Sequence, residues 1–404
     1  MAWRRRRVII NWIKSEPNYS QELFTKPNRF SLHPQQRCGF KKVLKKPEIR
    51  KGGAEEGPAA DLSEAAAKKS TLPPPPPLGP PVRPPRNPRL LFRPLMFTVG
   101  FTGCSFGAAA ILQYESVRFR VESVLEEVRE EKLRRLGEGQ VQNRESHDTA
   151  YWHNWWNQLS AFQKQMILLV SAVDDWWGRR SEGQKTAIGI IALNTAVLCC
   201  WRIPVMQRTM LKFFTSNPAS KTRCLPMLLS SFSHYSILHL TANMFVLWSF
   251  STSVVSLLGR EQFLALYLSG GVFATFISYV CKTATGRLGP SLGASGAIMT
   301  ILAAVCTKMP EVKLGIIFLP MISFTAGNAL KAIMALDTAG LVLGWRMLDH
   351  AAHLGGALFG VWYISYGHSL IWRRREPLVK FWHDLRKGPP GGAPPRGGGG
   401  GSGA

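Results

Sequence analysis

Two residues stand in apolar surroundings where reactive side chains are unexpected: Ser295, within Gly293-Ala294-Ser295-Gly296 at the head of an apolar stretch, and His353, within the apolar segment 351–366. Polar groups at membrane depth are costly, so each is a functional candidate by default. Serine and histidine are the minimum for nucleophilic acyl transfer, because the imidazole removes the proton that makes the hydroxyl a weak nucleophile. The chemistry they suggest is hydrolysis of a peptide bond inside a bilayer. His353 would take the Ser295 proton, Ser295 would attack the scissile carbonyl, and the imidazolium would protonate the leaving amine before water repeats the cycle. A Gly-Ala-Ser-Gly string alone also fits simple helix packing, since small residues let transmembrane helices approach closely. The histidine is what packing leaves unexplained. Gly356, Ala357 and Gly360 follow it at helical spacing and predict a close approach of its helix to that of the serine.

Acyl transfer also needs donors aimed at the developing oxyanion, each worth roughly 2.7–4 kcal/mol when deleted. His239 and Asn243, at i and i+4, share one helix face and both can donate; the Ser295 backbone N–H would complete the hole. The alternative for this pair is a structural interhelical hydrogen bond of roughly 0.6 kcal/mol. Asp349, four residues before His353, is placed to cap a helix N-terminus and is left out of the catalytic set with His350. His234 reads as an interfacial residue near a loop. No cofactor and no metal is expected for this chemistry.

These side chains need a membrane scaffold to hold them. Segment 95–114 is uncharged and about twenty residues long, enough to cross a hydrocarbon core. Six more apolar segments follow, 186–201, 237–258, 263–281, 294–306, 322–343 and 351–366. The expected fold is an all-α polytopic membrane protein with one plus six spans. The predicted organisation is a basic region 1–70, a Pro/Arg-rich linker 71–94, a first span 95–114, an interfacial connector 115–185, a core 186–367 and a basic, Gly/Pro-rich tail 368–404. In the connector, Trp152, Trp155, Trp156, Trp176 and Trp177 fit anchoring in the headgroup zone.

The net charge of +25 and a pI near 10.2 exclude little alone. About half of that charge lies in the first ninety-odd residues, with no zinc-finger spacing or recognition helix beside it, so nucleic acid is not an expected partner. A basic amino terminus without a continuous hydrophobic run reads as an organellar presequence. The seven cysteines form no CxxC pair and read as small buried hydrophobes rather than disulfides or ligands. The positive-inside rule places the N terminus in the matrix and the C terminus in the intermembrane space, with Arg373, Arg374 and Arg375 as competing bases.

Three motifs occur in order: His239-Leu-Thr-Ala-Asn243, Gly293-Ala-Ser-Gly296 and Ala352-His353-Leu-Gly-Gly356. Together they resemble the rhomboid family of intramembrane serine proteases, across the C-terminal half of the chain, and longer strings such as SLGASGAIMT and DHAAHLGGALFG resemble its mitochondrial members. The resemblance implies a six-helix rhomboid core with an extra N-terminal helix, a Ser295–His353 dyad, and oxyanion stabilisation by His239 and Asn243. It also implies a mitochondrial inner-membrane location, single-span transmembrane substrates, lipid contacts, scaffold or protease partners in that membrane, and roles in mitophagy and apoptosis. It assigns the loop 202–229 to support of the site, and Asn328 and Lys331 to a segment beside a substrate gate. Two other readings stay open: an inactive relative that binds transmembrane helices, and a transporter using Lys331 and Asp337, for which no inverted repeat is visible.

Overall fold

The structure, a computed structural model, describes residues 88–137, 151, 153–316, 319–345 and 347–387. The predicted basic region 1–70, most of the linker and the last residues of the tail lie outside them. Residues 151 and 153–157 are helical and belong to a separate compact unit, and Trp156 is buried. Trp176 and Trp177 are exposed at the end of their helix. The remaining described residues form the unit that carries the candidate site.

That unit is helical, with one small hairpin. Its helices are α1 (Phe92–Gly137), α2 (Ala161–Gly178), α3 (Glu182–Cys200), α4 (Gln207–Phe213), α5 (Cys224–Leu229), α6 (Ile237–Leu258), α7 (Arg260–Thr285), α8 (Ser295–Lys308), α9 (Ala326–Leu343), α10 (His350–Trp362) and α11 (Glu376–Lys387). The starts of several are written in side-chain caps. Ser160 and Gln163, then Ser181 and Gln184, form reciprocal capping boxes that satisfy orphan N–H groups at the heads of α2 and α3. Thr325 caps α9, and Asp349 caps α10 as expected from its position.

Five helices among the described residues, α1, α3, α6, α7 and α9, are long and apolar enough to cross a membrane. This supports the all-α polytopic expectation, whereas α8, with 14 residues, is shorter than a full span. The helix holding the predicted first span runs well past it, to Gly137. Segment 322–343 divides differently from its hydropathy: β2 (Leu319–Thr325) pairs antiparallel with β1 (Lys313–Ile316), and the helix starts only at Ala326. Beyond Trp362 the chain continues to Trp372 as a wider turn, in which Arg373 N–H donates to the His368 carbonyl five residues back.

In lipid the surroundings are as apolar as a leucine side chain, so helices associate through close packing rather than hydrophobic expulsion. The core has that character. Leu247 of α6, Phe263, Leu266 and Tyr267 of α7, Ile301 of α8 and Phe106 of α1 join one buried cluster, and the Phe106 ring stacks on Tyr363 at 5.0 Å. Within the tail, Glu376–Lys387 folds as α11, and the tail is tied to α1 through polar groups. Trp382 Nε1 donates to Glu115 at 2.9 Å, Arg386 pairs with the same carboxylate, and Arg375 donates to Gln113 at 3.1 Å.

Candidate active site

Ser295 is the first residue of α8, where backbone N–H groups have no partner within the helix. It is reached through Gly293, whose φ of +135° is open to glycine and strained for other residues. A side chain at Gly293 would also meet the His239 ring, with Cε1 2.9 Å from the added Cβ, while Ser295 Oγ lies 3.8 Å from the same point. The imidazole and the hydroxyl therefore flank one small space. The approach to Ser295 is stitched to the preceding loop: Ser216 and Ser291 exchange backbone hydrogen bonds of 2.8 and 2.9 Å, and Gly293 N–H donates to Ser230 at 2.9 Å. A small cavity beside Ser295 has the hydroxyls of Ser230, Ser231, Ser278 and Ser291 among its lining.

His353 comes to Ser295 because α10 lies directly against α8. An added Cβ on Gly356 would stand 2.1 Å from the Gly296 carbonyl oxygen, and one on Gly360 would stand 2.3 Å from that of Thr300. No larger residue fits between these backbones. At this separation His353 Nε2 is 2.8 Å from Ser295 Oγ, within hydrogen-bond reach.

The other face of the His353 ring meets a group that sequence reasoning placed elsewhere. Asp337, on α9 and 4% exposed, has Oδ1 3.1 Å from His353 Nδ1 and 2.7 Å from His350 Nδ1. Read in the sequence as a hint of transport, it lies against the histidine of the candidate pair. A charge at membrane depth needs a partner, and that was the available signal; what hid it was the separation of Asp337 and His353 on two helices. Asp349 pairs instead with α7, where it lines the same small cavity as Ser295, accepts from Ser278 Oγ at 2.6 Å and pairs with Lys282 Nζ at 3.0 Å. Burial opposes ionisation of Asp349, but the Lys282 ammonium and neighbouring hydroxyls outweigh it and hold the carboxyl below its usual range.

His239 and Asn243 are on the predicted common face of α6, with the Asn243 amide engaged at rest. Nδ2 donates to the His239 carbonyl at 2.9 Å and meets His234 Nε2 at 3.2 Å. Here the expectation for His234 fails. It is fully buried rather than interfacial, because the run from Ser230 folds inward beneath the start of α8. Its Nε2 also receives the Ala294 N–H at 3.4 Å, so this ring ties Asn243 to the residue preceding Ser295. Two donors on Nε2 require the neutral tautomer protonated at Nδ1. Lys331 and Asn328 are exposed on α9.

A membrane helix bundle with a serine at a helix head and a histidine on the glycine-packed neighbour matches a known class. The rhomboid-domain family model matches residues 221–369, and the chain belongs to the rhomboid family. Among its relatives, "Presenilin-associated rhomboid-like protein A, mitochondrial" of Danio rerio is 67% identical over 392 residues, covering 97% of this chain and 98% of that protein. "Presenilin-associated rhomboid-like protein, mitochondrial" of Bos taurus is 54% identical over 368 residues, covering 90% and 87%. "Rhomboid protein 1, mitochondrial" of Saccharomyces cerevisiae is 35% identical over 208 residues, covering 50% and 60%.

Proposed function

We propose that this protein is an intramembrane serine endopeptidase acting on transmembrane segments of mitochondrial proteins. The observation that carries the proposal is the 2.8 Å contact between Ser295 Oγ and His353 Nε2 inside a membrane bundle. His353 accepts the Ser295 proton as Oγ attacks the scissile carbonyl. The resulting imidazolium protonates the amine as the peptide bond breaks, leaving an acyl group on Ser295. Water from the hydroxyl-lined cavity then gives up a proton to His353 and attacks the ester, and return of that proton to Oγ frees the acid product.

The oxyanion has a donor in the Ser295 backbone N–H at the positive end of α8. His239 lies alongside, and Asn243 joins when its amide exchanges a resting bond for the charged oxygen. A charge-assisted hydrogen bond is about twice as strong as a neutral one, which favours that exchange. In this reading α8 and α10 also cross the bilayer, giving one plus six spans. The relatives' names place them in mitochondria and, in part, with presenilin; the inner membrane, with the N terminus in the matrix, suits the charge pattern.

The test is cleavage of a single-span substrate by the purified protein in liposomes, beside Ser295→Ala and His353→Ala. Wild type is expected to cut and both variants to fall to background. Cleavage surviving in folded Ser295→Ala would refute the mechanism. A folded wild type that binds the helix without cutting it would instead support the inactive, helix-binding reading.

A further inference from the structure

We infer that Asp337 is a positioning residue for His353, so that the reacting group extends to a Ser295–His353–Asp337 relay anchored at its far end by His350. The inference rests on the protease reading and goes beyond the two-residue site implied by the family resemblance. It starts from the proton inventory of one ring. Asp337 Oδ1 lies 3.1 Å from His353 Nδ1, and an ionised carboxylate only accepts, so Nδ1 carries the hydrogen. A neutral imidazole has one ring hydrogen, which leaves Nε2 as the acceptor, and Nε2 is the atom 2.8 Å from Ser295 Oγ. The aspartate thus selects the tautomer that can act as base, and its charge stabilises the imidazolium formed when the Ser295 proton moves.

The position of Asp337 is itself determined. His350 Nδ1 donates to the same oxygen at 2.7 Å, and the His350 ring is pressed on Gly340, where an added Cβ would come within 2.5 Å of it. Trp345 packs edge-on against the ring at 6.0 Å. The carboxylate is therefore held from α10 by two imidazoles while its backbone belongs to α9. A buried carboxylate whose described partners are the candidate base and a second histidine is poorly explained by packing, since burying an ion without strong compensation is unfavourable.

The experiment compares wild type, Asp337→Asn and Asp337→Glu as full-length protein in liposomes, with rates expressed per folded, monodisperse molecule. Asn keeps the shape and loses the acceptor-only charge. Expected for Asp337→Asn are a kcat lowered by roughly 10²- to 10⁴-fold, a KM near the wild-type value, and similarly slowed labelling of Ser295 by a fluorophosphonate, with Asp337→Glu recovering part of the rate. A merely structural role would instead lower thermal stability and leave the folded fraction with wild-type kcat, which would overturn the inference. If Asp337→Asn does not fold, Asp337→Glu against Asp337→Ser decides: a Glu rate at least about tenfold the Ser rate supports it, and equal rates overturn it. Loss of wild-type activity on dialysis against a chelator would also overturn it, in favour of a cation held by Asp337, His350 and His353. An inert wild type, unreactive with both substrate and fluorophosphonate, would remove the protease reading and this inference together, whereas an active wild type with an equally active Asp337→Asn removes this inference alone.

Discussion

Helices α7 and α9 are both apolar enough to span a bilayer, yet 67% of the most apolar window of α7 is buried and only 22% of that of α9. The contrast follows from which residues each turns inward. α7 is surrounded: Gly270 and Gly271 face α8, Ile277 lies against Gly355 of α10, and Tyr279 is buried near the loop before α6. α9 inserts little beyond Ala326, Leu330, Asp337 and Gly340, and turns Leu336, Val342 and Leu343 outward. The candidate nucleophile and base thus sit on backbones that cannot separate without losing packing, while Asp337 comes from a lightly held edge. A reaction needing Ångström placement of Ser295 and His353 is served by the first arrangement. On the proposed protease reading, a lightly packed edge would suit admission of a substrate helix.

The comparison breaks first if the packed side tolerates added volume. Gly356→Ala places a methyl group 2.1 Å from the Gly296 carbonyl oxygen, so α10 must back away and carry His353 with it. Proteolysis should fall to near the level of Ser295→Ala, with a lower melting temperature in detergent; a near-normal rate would mean that helix contact does not set the dyad distance. At Gly340, on the looser α9, the same substitution meets the His350 ring at 2.5 Å, a side chain rather than a backbone carbonyl. Overpacking of this kind costs about 1–3 kcal/mol of stability, so Gly340→Ala is expected to lower the melting temperature while the folded protein loses less activity than Gly356→Ala. Equal damage at Gly340 and Gly356 would erase the difference between the walls.

Much of the packed side was legible because its signals are local. Ser295 between glycines, His353 among alanines, and Gly356 and Gly360 below it lie on single helices at fixed spacing. His239 and Asn243 could be paired for the same reason. What escaped depended on chain reversal. Asp337 and His353 meet only because α9 turns back into α10, and no periodicity in either segment encodes that turn. His234 looked interfacial because it precedes a helix; its burial depends on the Ser230 segment folding under α8. The residues just before Ala326 looked like the start of a span because apolar strand and apolar helix are indistinguishable in a short run.

A third prediction concerns the seam where the packed side meets the loops. The Asp349 carboxyl, held below its ordinary range by Lys282 and Ser278 against the cost of burial, caps α10 and joins it to α7. A depressed carboxyl stabilises the fold above its unfolded value, about 3.9, and that contribution is lost as pH falls through the lower folded value. Between pH 8 and 5 this group should therefore leave the melting temperature unchanged, with a decline beginning below about pH 4. Asp349→Asn should lower the melting temperature at neutral pH and flatten the acid decline. An unaltered acid decline in the variant would assign it to other carboxylates.

The smallest expected effect lies on the outer face of α9. Lys331 is exposed there, between one and two turns beyond the Thr325 cap, and its stem can lie along apolar surface while the ammonium reaches toward the membrane boundary. If α9 is an edge whose inward residues matter and whose outward residues are solvated by lipid or headgroups, Lys331→Leu removes a charge without moving Asp337. An exposed substitution of this kind changes stability by within about 0.5 kcal/mol, and because it leaves the Ser295, His353 and Asp337 contacts in place, kcat/KM for a single-span substrate in liposomes should change by no more than about twofold. A loss beyond about tenfold with unchanged melting temperature would mean that substrate touches this face on its way in. The lightly packed wall would then be part of recognition as well as a support for the aspartate.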